Sequence, residues 1–189
     1  MNYKKGDKLL EDNILLIGFM GVGKGTIARE LVKNSNYFSI DTDDIIESIE
    51  NKKIKKIFSD DGEAYFRALE KKCAHWCENN IKNTIISTGG GFYKQENIKK
   101  IGKVIYLESS FDSIIKALKQ APDSKKKFKK RPLLKNLEEA RKIYDVRVKE
   151  YALVADIIVN VSDWDTKRIT KEIFEKINAK WKSRRNKNK

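Results

Sequence analysis

The chain has 189 residues, 40% of them apolar and 36% charged; this supports one globular domain with a real core and excludes a helical membrane protein, since no apolar run approaches the roughly 20 residues a bilayer requires. The net charge of +14 is concentrated: KKKFKKR (Lys125–Arg131) and the last ten residues, KWKSRRNKNK, carry six basic groups each and no acid, leaving about +2 for everything else. The N-terminal MNYKKGDKLLEDN has lysines but lacks the apolar stretch of a secretory leader, so the cytoplasm is the expected compartment.

In chain order, five short β-rich runs read as buried strands: Asn13–Gly18 (NILLIG), Tyr37–Asp41 (YFSID), Asn83–Thr88 (NTIIST), Lys103–Glu108 (KVIYLE) and Asp156–Val161 (DIIVNV). The amphipathic segments between them are long enough to be crossover helices. Such alternation predicts an α/β fold, a parallel sheet covered on both faces, in a single domain over residues 13–178. Residues 1–12 and 180–189 are expected to be flexible tails, the second basic and solvated. In sheets of this kind ligands bind beyond the carboxyl ends of the strands. Three motifs fall there: GFMGVGKGT after the first strand, DTDD after the second and GGG after the third.

GFMGVGKGT, Gly18 to Thr26, follows an apolar strand and opens a helical stretch, the context a phosphate-binding loop demands. Gly21 and Gly23 would let the backbone curl, with Val22 between them, so that successive N–H groups face an anion, with a helix N-terminus behind them. Lys24 would then reach the β- and γ-phosphates. No second half of a dinucleotide fold is visible, so ATP or GTP is expected rather than NAD. One position departs from G-x-x-x-x-G-K-[ST]: the residue after the lysine, which normally brings a magnesium-ligating hydroxyl, is Gly25, and a hydroxyl comes only at Thr26.

SIDTDDIIE places Asp41 and Asp43 at a strand end. If the chain is still extended there, they share a face about 6–7 Å apart; alternatively, Thr42 or Asp43 caps the following helix. GEAYFRALE sets Arg67 and Glu70 at i and i+3 on one helical side, as a surface ion pair or as a carboxylate-binding arginine held by its own acid. Three consecutive glycines in STGGGFY are entropically costly, which implies that something approaches that backbone closely. Cys73 and Cys77, on one helical face with Phe66, Leu69, Trp76 and Ile81, are expected to be buried reduced thiols, since no second ligand pair for a metal is visible.

These pieces together resemble the shikimate kinase family: GFMGVGK, DTD, Gly62-Glu63 with Phe66-Arg67 and Glu70, TGGG, RPLL (Arg131–Leu134), and YDVRVKEY around Arg147. The resemblance spans residues 13 to about 178. It implies a fold of P-loop kinase type, with a five-stranded parallel sheet flanked by helices in three layers. It further implies an ATP-dependent phosphotransferase of the aromatic amino acid pathway, acting on the 3-hydroxyl of shikimate, with magnesium as cofactor and no need for nucleic acid, membrane or a second subunit. By the same resemblance Asp43, Arg67, Gly90, Gly91 and Arg147 would hold shikimate, with Glu70 supporting Arg67. Arg131 would belong to a lid, about residues 121–135, whose basic cluster meets the triphosphate. The catalytic set would be Lys24, Asp43 and Arg131. The segment near Val161–Asp165 would border the adenine.

Where the family has serine, Gly25 removes a direct metal ligand, and one helical step turns Thr26 about 100° away from that role. GKGT is also the loop ending of adenylate kinases, in which nucleotide oxygens and water carry the metal. Magnesium needs few protein ligands. The expectation is therefore an active enzyme whose magnesium is held by ATP oxygens and waters, Asp41 accepting from one of those waters.

Overall fold

The run NILLI forms β1 (Asn13–Ile17), and all five of its residues are buried. Because successive side chains point to opposite faces of a strand, both faces of the sheet are covered there, which makes the architecture three-layered. The computed structural model describes residues 12–129 and 131–187. Its remaining strands are β2 (Phe38–Asp41), β3 (Thr84–Ser87), β4 (Gly102–Glu108) and β5 (Ile157–Asn160), all parallel, in the order β2-β3-β1-β4-β5. Asn13 ties the amino-terminal rim together: its amide donates to Ile81 O and Ile101 O (2.7 and 2.9 Å) and its oxygen accepts from Thr84 N at 3.1 Å.

From sequence all five strands are expected to be buried, but the edges differ. Phe38 in β2 is 82% exposed and β5 alternates between buried and exposed. Each has a sheet neighbour on one side only, so its outer face lacks a full helical cover.

Between β1 and β2 runs α1 (Lys24–Lys33), which buries Ile27, Ala28 and Leu31. After β2 come α2 (Thr42–Glu50), α3 (Ile54–Asp60) and α4 (Gly62–Asn80). The chain continues through β3, α5 (Ile98–Ile101), β4, α6 (Phe111–Gln120), α7 (Ser124–Lys129), α8 (Leu137–Val154), β5 and α9 (Thr166–Lys187). The backbone of α9 runs into the expected basic tail. Residues 188–189, and all of the expected N-terminal tail except Asp12, lie outside the described residues. Among the described residues no helix is long and apolar enough to cross a membrane.

On α4 the buried stripe is Phe66, Glu70, Cys73, Ala74 and Cys77, with both thiols free. Trp76, placed on that face from sequence, is 41% exposed instead. The stripe turns towards Glu70 and Ala74, which leaves Leu69 at its margin and Trp76 outside it. A buried acid in the stripe is a sign that α4 serves more than packing.

Candidate active site

The loop after β1 takes its shape from two glycines in the left-handed region, Gly21 at φ 90° and Gly23 at φ 97°, a conformation that costs other residues 1–2 kcal/mol or so. Gly23 caps α1, so the helix N-terminus opens onto the loop, while Val22 is buried beneath it. Lys24 folds back over the loop and donates to Gly18 O at 2.6 Å and Phe19 O at 3.3 Å. Burial lowers its pKa to about 8; Asp41 and Asp43 oppose that shift, and Arg131 and Arg147 add to it. These four side chains therefore lie within electrostatic reach of the loop lysine. Thr26 is exposed and accepts from Arg29 Nη2 at 3.4 Å.

The extended geometry proposed for Asp41 and Asp43 does not form. Helix α2 begins at Thr42, and Asp41 is its N-cap, accepting from Asp43 N at 3.0 Å. Capping is thus real but belongs to Asp41, because an aspartate just outside the first turn reaches the N–H two residues on. Its other oxygen accepts from Ser87 Oγ at 2.6 Å. Thr42, fully buried, accepts from Gly89 N at 3.1 Å and so moors the glycine loop to α2. Asp43 projects from the first turn towards that loop: its Oδ1 would lie 2.5 Å from a side chain begun at Gly89, and Glu70 Oε1 3.3 Å from the same point. Close approach of functional groups is therefore why this stretch has no side chains.

Gly90 O accepts from Arg147 Nη1 at 3.2 Å and from Tyr151 Oη at 2.7 Å, two side chains one turn apart on α8. Met20 N of the phosphate loop stands 3.9 Å from where a Gly90 side chain would start. At Gly91 that point is 2.5 Å from Arg67 Nη1. Arg67 Nη1 donates to Glu70 Oε2 at 2.5 Å, while Nε and Nη2 both donate to Glu63 Oε1 (3.1 and 2.7 Å). Of the two readings for Arg67 and Glu70, the structure favours the steadied arginine: Glu70 is 1% exposed, too deep for a surface ion pair.

Two buried side-chain oxygens lack a partner among the described residues, Asp43 Oδ1 and Glu70 Oε1. Burial, then Asp41 and Glu70, raises the Asp43 pKa to about 7, with Lys24 pulling it down. Burial also raises Glu70, against the pull of Arg67. Arg131 sits between α7 and a short 3-10 turn (Pro132–Lys135) and donates to Lys127 O at 2.7 Å.

Several residues at this rim were not legible beforehand. Ser87 was visible only as the residue before TGGG, and Tyr151 only as one turn beyond Arg147. Glu63 stands out in the sequence only as the residue after Gly62. Trp164, in the segment expected to border the adenine, has φ 57°, and its ring lies 3.3 Å from where a Gly23 side chain would begin. Nothing in the sequence distinguishes this tryptophan from a core aromatic.

A parallel sheet in this strand order, with a phosphate loop after β1 and a half-buried lysine within electrostatic reach of acids on β2 and α2, defines a P-loop kinase. The family profile described as "Shikimate kinase" matches residues 20–178. The shikimate kinase of Helicobacter hepaticus is 38% identical over 164 residues, 87% of this chain and 95% of that protein. Among solved structures, shikimate kinase from Acinetobacter baumannii in complex with shikimate superposes with a TM-score of 0.79 at 25% identity, covering 91% of this chain and 96% of that one. Shikimate kinase from Bacteroides thetaiotaomicron does so at 0.77 and 26%, covering 88% and 98%. The chain belongs to the shikimate kinase family.

Proposed function

We propose that this protein transfers the γ-phosphoryl group of ATP to the 3-hydroxyl of shikimate. One observation carries the reading beyond the family: two buried carboxylate oxygens without partners among the described residues, on Asp43 and Glu70, stand beside the guanidinium groups that enclose the glycine loop. Buried acceptors of this kind call for hydroxyl donors, and forked cations call for a carboxylate. A compact acid bearing hydroxyls supplies both.

Arg67 and Arg147 bind the acid's carboxylate, with Glu70 holding Arg67 straight and the Gly90 and Gly91 backbone allowing close approach. Asp43 takes the acceptor hydroxyl, orients it towards the phosphate loop and receives its proton. Gly21, Val22, Gly23, Gly25 and Thr26 line the triphosphate, and Lys24 exchanges its loop carbonyls for phosphate oxygens. Arg131 closes with the lid over the nucleotide, neutralising charge and excluding water. Transfers of this kind rest on alignment and charge neutralisation.

The residues present fit a magnesium ion. Among the described residues no group of three or more His, Cys, Asp or Glu side chains could hold a metal by itself, which suits an ion carried by nucleotide oxygens and water. Asp41, fixed by Ser87 and by Asp43 N, would take one of those waters. When bound, such an ion would supply positive charge to offset that of the phosphates. All of these groups come from one chain, so the protein is proposed to act as a monomer, in the cytoplasm, without nucleic acid.

An ADP-release assay with shikimate, gluconate and AMP as acceptors tests the assignment. Turnover with shikimate is expected to exceed that with the others by at least about a hundredfold, as expected of a site that must pair buried polar groups. Comparable rates with gluconate or AMP would overturn it. A finer check is Gly91→Ala. The new methyl pushes on Arg67 Nη1, the group that donates to buried Glu70, so stability should fall by no more than the about 1–3 kcal/mol that losing that contact costs. The KM for shikimate is expected to rise about 10- to 100-fold and that for ATP to stay within about twofold, a split readable by steady-state kinetics.

A further inference from the structure

We infer that Ser87 is a positioning residue for the divalent cation of the nucleotide, supplying in this chain the hydroxyl that residue 25 lacks. This rests on reading the loop as an ATP site. Ser87 ends β3, pairs in register with Asp41 on one side and Leu16 on the other, and is 3% exposed. Its Oγ donates to Asp41 Oδ2 at 2.6 Å. A hydroxyl has one hydrogen and two lone pairs, so with its hydrogen committed to Asp41 it turns an acceptor towards the loop.

The loop side of that contact is Gly25. A side chain begun there would start 4.0 Å from Ser87 Oγ and 3.6 Å from Arg29 Nη1, ordinary contact distances, so a Cβ at this position meets no clash. Glycine instead leaves the room of a hydroxymethyl group, close to the ~30 Å3 share of one water. A water there donates one hydrogen to Ser87 Oγ and presents its oxygen to the cation, which retains waters readily. Asp41 keeps the serine hydrogen on its own side, so the pair acts as a relay: the carboxylate fixes the serine and the serine fixes the water. Gly25 is then not a damaged loop: the hydroxyl that serves the cation comes from the end of β3, through a water.

The experiment measures Mn2+ binding to the protein with a β,γ-methylene ATP analogue, by electron paramagnetic resonance and without acceptor or turnover. Four proteins are compared: wild type, Gly25→Ser, Ser87→Ala and the double variant. Ser87→Ala is expected to weaken Mn2+ about tenfold in the wild-type background, the usual scale for outer-shell partners. In the Gly25→Ser background, where serine ligates directly, it should weaken Mn2+ less than twofold. Line broadening in 17O-enriched water should count one water fewer on the ion in Gly25→Ser than in wild type, a readout that leaves Ser87 untouched. Equal losses in both backgrounds, no loss in either, or an unchanged water count would overturn the inference while leaving the kinase reading intact. Failure of wild type and Gly25→Ser alike to bind the analogue would overturn both.

Discussion

Replacing Asp43 by asparagine is expected to reduce turnover about a thousandfold and, at the same time, to make the protein more stable at pH 8. The same burial produces both effects. Asp43 Oδ1 has no partner among the described residues, and the carboxyl pKa is raised from 3.8 to about 7. A raised acid binds its proton more tightly in the folded than in the unfolded chain, so its contribution to stability falls as pH rises from about 4 to about 7 and stays low above that. At ~1.4 kcal/mol per pH unit the difference is on the order of 4 kcal/mol. Asparagine does not ionise, so urea midpoints of the two proteins should coincide near pH 4 and separate by pH 8, with the variant higher. The activity side follows from the proton: asparagine can orient a hydroxyl but cannot take its hydrogen. In the wild type, kcat/KM should fall below about pH 7 as Asp43 protonates. A variant less stable than wild type at pH 8, or a rate flat from pH 8 to 5.5, would contradict this account.

The second large effect is expected at Arg67. Arg67→Ala should raise the KM for shikimate at least about a hundredfold, because a forked carboxylate contact is lost, and should destabilise the fold. Glu70, 1% exposed, would keep a buried charge and lose its Nη1 partner. Breaking a fully buried pair costs about 3–5 kcal/mol; Arg67 itself is partly exposed, so about 1–3 kcal/mol is expected once solvent screening is allowed for. The penalty should shrink as pH falls, since protonation neutralises Glu70. Adding Glu70→Gln should restore most of the stability and none of the affinity, which separates the structural from the binding role. Arg67→Lys keeps the charge but not the fork and should raise KM about tenfold with little loss of stability. An unaltered KM in Arg67→Ala would place the substrate carboxylate elsewhere.

Much of this protein was legible in its residues, because the signals were local. Strand and helix follow from apolar period, so the five parallel strands, the turn at Gly21 and Gly23 and the capped start of α1 required only neighbours in sequence. Even the triple glycine announced a close approach. Tertiary structure alone decided which groups approach it: Asp43 and Glu70 at Gly89, Arg147 at Gly90 and Arg67 at Gly91 come from three different helices. It also decided that Asp41 caps α2, that Trp76 lies outside the core face of α4, and that Ser87 stands opposite Gly25. The physical reason is common to all of them. Burial, pKa and the partner of a hydroxyl depend on what the fold brings within a few ångströms, and no periodicity along the chain encodes that distance.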